Sequence, residues 1–274
     1  MISKPVGLPS RRHTAAGSLM VFVVACAGAL EVLSAQAAST STLALQARGT
    51  TGTTVTGADQ FTVGGDTTVA ISVAGLNGGS AKVVAGPDST LPRAVQFPPY
   101  VTSGTYPRAV VRLIPRSGAA LSPGSSGFAY GAVFRLNASS SGRSIDNGNN
   151  LFQRGLYADR SQFKLQIDHG YPSCLVRGSA GRVTARSSIK VTPDKWYRAT
   201  CSRVGSRVTV GVARYGGAAS TVTKVFSGST GTLTFGSSVR TSIGGKLTST
   251  GAVESSSTDQ FNGAVARAWI RPTS

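Results

Sequence analysis

Five runs in this chain alternate apolar and polar residues with period two: RAVVRLI (108–114), FAYGAVFRL (128–136), FKLQI (163–167), RVTVGV (207–212) and AVARAWI (264–270). That period is the signature of strands with one face in a core. Val, Thr, Phe, Tyr and Ile, which fit a pleated surface, fill the runs. Between them stand turn formers such as SPGSSG, SSSGRSIDNGNN, DHGYP, TPDK and YGG. No window carries a sustained helical period between caps. Short strands at this spacing without helices predict an all-β, two-sheet antiparallel sandwich.

Residues 1–37 are set apart from the fold. Lys4, Arg11 and Arg12 precede an apolar core at 15–30, and Ala35-Gln36-Ala37 supplies small residues for cleavage. This is the layout of a secretory signal peptide, and the apolar run is short beside the roughly 20 residues of a membrane span. Val23-Val24-Ala25-Cys26 offers an alternative, a lipid anchor on Cys26, but the chain after it stays apolar. The expectation is a secreted protein with no membrane span in its mature chain, and a monomer. Of the 274 residues, 237 then remain, enough for one sandwich. Residues 38–90 are rich in Thr, Gly and Ser; TVAISV (68–73) and AKVVAG (81–86) are expected to add first strands behind a disordered lead of about ten to twenty residues. Residues 91–274 form the main sandwich.

Charge narrows the partners. The leader holds three of 28 basic and one of 10 acidic residues, which leaves +16 on the remainder. Such an excess favours polyanions without determining a fold. The basic residues are spread from Arg48 to Arg271, and aromatics are not interleaved with them as in a nucleic-acid reader. An extracellular carbohydrate or anionic surface polymer is the expected partner, and no specific nucleic acid is. Cys174 and Cys201 remain after the leader, on neighbouring predicted strands, and in an oxidising compartment they read as one disulfide.

From about residue 121 the order of features resembles the laminin G-like branch of the concanavalin A-like lectin/glucanase superfamily. FAYGAVFRL, NLFQRGLY (150–157), SQFKLQID (161–168), CLVRG (174–178), DKWYRATCSR (194–203), SIGGK (242–246) and DQFNGAVARAWI (259–270) follow in the family's sequence. The resemblance implies a jelly roll of two antiparallel sheets. Trp196 is expected to close the core, Gly244-Gly245 to make a bend, and Phe261 and Val265 to face one way. No cofactor is expected; some members of that family hold calcium at a rim, and the alternative here is such a site with Asp259 and Asn262 as candidate ligands and Asp146 or Asn149 beside them. Ala266 and Arg267 stand where the family carries acids, which removes part of that ligand set.

An enzyme is not expected. Glucanases of this superfamily place paired carboxylates on one strand, whereas Glu254 is the single glutamate after the leader and no two Asp residues stand at i, i+2. Serine chemistry would need His169, and no G-x-S-x-G elbow accompanies it. A jelly-roll polysaccharide lyase would use His, Tyr, Gln and Arg, but its motifs are not in order. The expected function is a lectin-like, non-catalytic module for carbohydrate or surface polymer, with acidic polymers favoured; the alternative is a structural or adhesive surface protein. Tyr157, Tyr171 and Tyr215 are rings that can stack on sugars. Arg154, Lys164 and Lys246 are cations for carboxylate, sulfate or phosphate, with Gln166 and His169 beside them.

Overall fold

The structure is a computed structural model that describes residues 42–65, 69–99, 101, 105–117, 120–138, 149–217, 221–257 and 259–273. The leader, Asp146 and most of the 137–149 loop lie outside them. Residues 37–274 form one compact unit. Sixteen strands are present among the described residues: β1 (Leu43–Ala47), β2 (Phe61–Gly65), β3 (Val69–Leu76), β4 (Lys82–Ala85), β5 (Arg93–Gln96), β6 (Arg108–Pro115), β7 (Phe128–Leu136), β8 (Asn149–Arg154), β9 (Gln162–Asp168), β10 (Tyr171–Gly178), β11 (Gly181–Arg186), β12 (Trp196–Val204), β13 (Arg207–Arg214), β14 (Val222–Ser227), β15 (Thr241–Ile243) and β16 (Gly263–Pro272).

They pair antiparallel into two sheets. One runs β14-β13-β12-β7-β16-β1-β2, with β5 extending the β16 edge and β4 beyond it; the other runs β11-β10-β9-β8-β15-β6-β3. The inner faces enclose a core in which Phe128, Tyr130, Phe134, Phe152, Phe163 and Phe261 pack ring on ring. Buried Tyr130 donates its hydroxyl to the carbonyls of Lys164 and Leu175, at 3.1 and 3.0 Å, so the polar tip of the ring is satisfied. The fold is thus an all-β jelly-roll sandwich with one disulfide. The N-terminal segment feeds both sheets. β1 occupies Leu43–Ala47, within the stretch expected to be a disordered lead.

Two expectations about the strands change. Cys174 and Cys201 are bonded, Cα to Cα 5.6 Å, but β10 and β12 belong to different sheets. The bridge is a bolt through the sandwich, because the chain crosses over between β11 and β12. Trp196 does not close the core: it lies half-buried on the outer side of the first sheet, with the Arg135 guanidinium 5.5 Å over its ring. The next residue, Tyr197, points inward and stacks near Phe134, since adjacent residues of a strand face opposite ways.

Two bulges set which side chains reach the outside. On β16 the register slips between Val265, opposite Phe134, and Arg267, opposite Val133. Ala266 is the extra residue, so the alternation inverts there. Val265 stays in the core; beyond the bulge Ala268 and Ile270 point inward and Arg267, Trp269 and Arg271 outward. A second slip on β8, between Asn150 and Phe152, inverts that strand at Leu151. It turns Phe152 and Arg154 inward and Gln153 outward.

Candidate functional site

The β9–β10 hairpin forms as its sequence demands. Phe163, Leu165 and Ile167 are buried while Lys164 and Asp168 lie on the outer face. His169 and Gly170 make a two-residue turn, both at positive φ of 50° and 84°, as a type I′ turn requires. The His169 ring is exposed at that tip, with Nδ1 2.6 Å from Asp168 Oδ1. Tyr171 stands beside it under the Arg186 guanidinium, 4.4 Å from the ring centre. Gln166 donates to Ser173 Oγ across the pair, 3.2 Å. Tyr157 is 70% exposed at the far end of the hairpin, below Arg182.

Lys246 pairs with Asp259, whose charge also reaches Lys164. Lys246 Nζ is 3.1 Å from Asp259 Oδ2 and donates to Ser257 Oγ, 3.1 Å. Burial pulls the Lys164 ammonium below the usual lysine range, with Lys246 acting the same way and Asp259 and Asp168 opposing. The charged form of Lys164 is therefore disfavoured in the fold. Between its lowered pKa and the ordinary value near about 10.4, the unfolded chain binds more protons, so stability rises with pH across that window. Lys164→Met is expected to remove this rise, read from urea midpoints at about pH 8 and about pH 10. A rise that persists in the variant assigns it to another group.

Arg154 leaves the set of surface ligands. The β8 bulge turns it into the protein, where it is fully buried and donates from Nη1 to the Ala120 carbonyl, 2.5 Å, with Phe235 4.6 Å below. Burial brings its pKa down to about 10.

The described members of the expected calcium set do not make a site by themselves. Among the described residues of that set Asp259 contributes the one carboxylate, and the Lys246 ammonium already holds its Oδ2; Asp146 lies outside them. The Asn262 amide donates to the Ala138 carbonyl, and Asn149 Oδ1 accepts from the Asn262 backbone. Among the described residues no three His, Cys, Asp or Glu side chains gather to hold a metal. Calcium takes six to eight oxygens.

Two clefts remain. One, of about 170 Å³, borders the second sheet and is lined by Gln153, Arg160, Ser242, Phe235, Arg240 and Leu247. Its polar floor is spent internally: Gln153 donates to Gly155 O at 2.7 Å and accepts from Asn150 Nδ2 at 2.6 Å. The other, of about 440 Å³, lies open on the outer face of the first sheet. Its floor comes from adjacent strands in register: Thr200 of β12, Gly131 of β7 and Trp269 of β16, flanked by Ala44 of β1. The next row is Arg198, Val133 and Arg267. Thr90, Leu91 and Tyr215 complete its wall.

Trp269 lies across Gly131. A methyl group added there would overlap the indole ring and the Ala199 carbonyl, so glycine is what lets the ring come down onto the sheet. Gly131→Ala is expected to lift the indole, destabilise the fold by about 1–3 kcal/mol and weaken any ligand held on the ring. Intrinsic tryptophan emission together with ligand titration checks this. Arg198, Arg267 and Arg271 are exposed around the ring, and none forms an ion pair with a described carboxylate. Arg198 also stands 5.6 Å over Tyr215. Burial, and then the Asp88 carboxylate, raises the Tyr215 pKa, so its hydroxyl stays protonated as a donor.

The sequence-derived candidates thus separate. Lys164, Gln166, Tyr171 and Lys246 share the second sheet's outer face, where Lys246 meets an internal acid. Tyr157 and His169 mark opposite ends of the hairpin. Tyr215 alone among the rings considered for sugar stacking reaches the open groove. Trp269, Arg198, Arg267 and Arg271 are not among the sequence-derived candidates. For Arg267, Trp269 and Arg271 the sequence signal is R-x-W-x-R within ARAWIR, which puts three large side chains on one face of a strand; Arg198 has none.

No family model matches the chain, and no curated protein matches it in sequence. Solved structures resemble it in fold. The binding domain of botulinum neurotoxin serotype D/C VPI 5993 superposes with a TM-score of 0.52 at 13% identity, covering 86% of this chain and 50% of that one. The binding domain of Paraclostridial Mosquitocidal Protein 1 gives 0.51 at 12%, covering 87% and 51%. Domain 4 of AbnA, a GH43 extracellular arabinanase from Geobacillus stearothermophilus solved with arabinotriose, gives 0.47 at 14%, covering 74% and 82%. The chain spans about half the length of the two binding domains. At these identities the likeness defines a class by fold, the β-sandwich domain. Among the described residues no helix is long and apolar enough to cross a membrane.

Proposed function

We propose that this chain is a secreted, monomeric, non-catalytic binding module of laminin G-like type that takes carbohydrate or surface polymer, with acidic polymers favoured. One observation carries the reading: an indole seated on a glycine of an open sheet face, with three guanidiniums around it that form no ion pair with a described carboxylate. A flat ring offers a stacking surface, and guanidiniums offer paired donors to acidic groups. Like-folded neighbours named as binding domains agree with a binding role at the level of fold.

The test is a glycan and polyanion array with the 38–274 product at about 50 and about 300 mM salt. Binding to acidic chains is expected to weaken steeply with salt, because exposed charges are screened within a shorter distance. An array without saccharide binding would refute the module and leave an adhesive role through protein partners.

A further inference from the structure

We infer that the groove over β12, β7 and β16 selects a linear polysaccharide whose sugar rings themselves carry carboxylate or sulfate. It does so in preference to a polyol-phosphate chain, a nucleic acid strand or a neutral glycan. The inference rests on the reading of the groove as a polymer site and names the class of polymer.

The platform requires a ring. Trp269 seats its indole against Gly131, is half-buried, and stands at the open floor of the groove. A pyranose has a flat C–H face to lay against it. An acyclic polyol phosphate has none, so it would use the charges and leave the indole idle.

The cations stand where a stacked sugar projects its substituents. Arg267 and Arg271 flank Trp269 two residues to either side on the same face of β16, about 7 Å away along the strand. Arg198 lies two strands from Arg267 through Val133, about 10 Å away across the sheet. A sugar stacked on the indole points its equatorial groups outward in the plane of its ring, toward those three positions. Planar guanidiniums match carboxylate and sulfate with two parallel hydrogen bonds. Among the described residues the groove lining contains no Asp or Glu; Asp88, beside the Tyr215 hydroxyl, is a described acid near its rim. A nucleic acid strand stacks successive bases on successive aromatic side chains, and this floor offers one large ring.

The experiment titrates the 38–274 protein with a polyuronate oligosaccharide, its carboxyl-reduced neutral counterpart, a polyglycerol phosphate of equal charge and a single-stranded DNA. The polyuronate is expected to bind at least about tenfold tighter than each of the others. Arg267→Gln and Arg271→Gln are each expected to lower polyuronate affinity about tenfold and to flatten its salt dependence. Lys190→Gln, an exposed charge change at the β9–β10 turn, controls for net charge and is expected to leave it unaltered. Equal binding of the polyuronate and its reduced form overturns the selection for acidic rings while leaving a saccharide site in place. Equal or tighter binding of the polyglycerol phosphate or the DNA overturns the polysaccharide assignment. Failure of both saccharides to bind overturns the proposed function as well.

Discussion

Trp269→Ala is expected to weaken saccharide binding by at least about thirtyfold, or ~2 kcal/mol, the scale of a central aromatic anchor. The ring is the largest side chain on the groove floor, and its removal leaves Gly131, Thr200 and Ala44 as a bare trough. The change also removes packing from the small outer cluster of Leu91, Val133 and Ala266. Trp269→Phe, which keeps a ring there, is therefore measured alongside it and is expected to retain most of the affinity. Calorimetric titration reads the effect, and circular dichroism confirms the fold of each variant. Affinity within about twofold of the parent for Trp269→Ala would place the ligand elsewhere on the surface.

Cys174→Ala combined with Cys201→Ala is expected to cost about 3.5 kcal/mol in the loop-entropy account. The bond closes a separation of 27 residues and joins β10 to β12 across the core, both cysteines fully buried. For a domain of this size the loss corresponds to roughly 7–14 °C in melting temperature. Reducing agent should reproduce the shift in the parent and leave the double variant unaffected. A change under about 2 °C in the double variant would show that sheet packing holds the layers without the bolt. The groove lies on the outer side of the first sheet, so its affinity at low temperature should be retained. This separates the stability effect from the Trp269 effect.

Much of the fold is legible in the order of residues alone. The five alternating runs are all strands, and DHG is a tight hairpin turn with Gly170 at positive φ. β1 is harder to see. LALQA alternates correctly, with Leu43, Leu45 and Ala47 buried, but five residues in a Thr/Ser-rich stretch give too short a pattern. Its strand character comes from pairing with β16 and β2. The candidate site is legible only in part. Residue type picks out cations and rings, and Tyr215 does reach the groove. Residue type says nothing of whether a cation is already paired, as Lys246 is with Asp259.

By itself the sequence determined the class of fold, the strands, the hairpin and the excess of positive charge, because these follow from local periodicity, turn chemistry and composition. Only the tertiary structure decided which side chains face outward. A single extra residue inverts the alternation of a strand, and nothing within the strand announces it. Uninterrupted period two from Val265 would send Arg267 and Trp269 into the core; the bulge at Ala266 turns them to the surface. From Asn150 it would keep Arg154 outside; the bulge at Leu151 buries it. The two slips serve packing: they keep Val265, Ala268 and Ile270 of β16, and Leu151 and Phe152 of β8, all in the core, where strict alternation would turn some of them out.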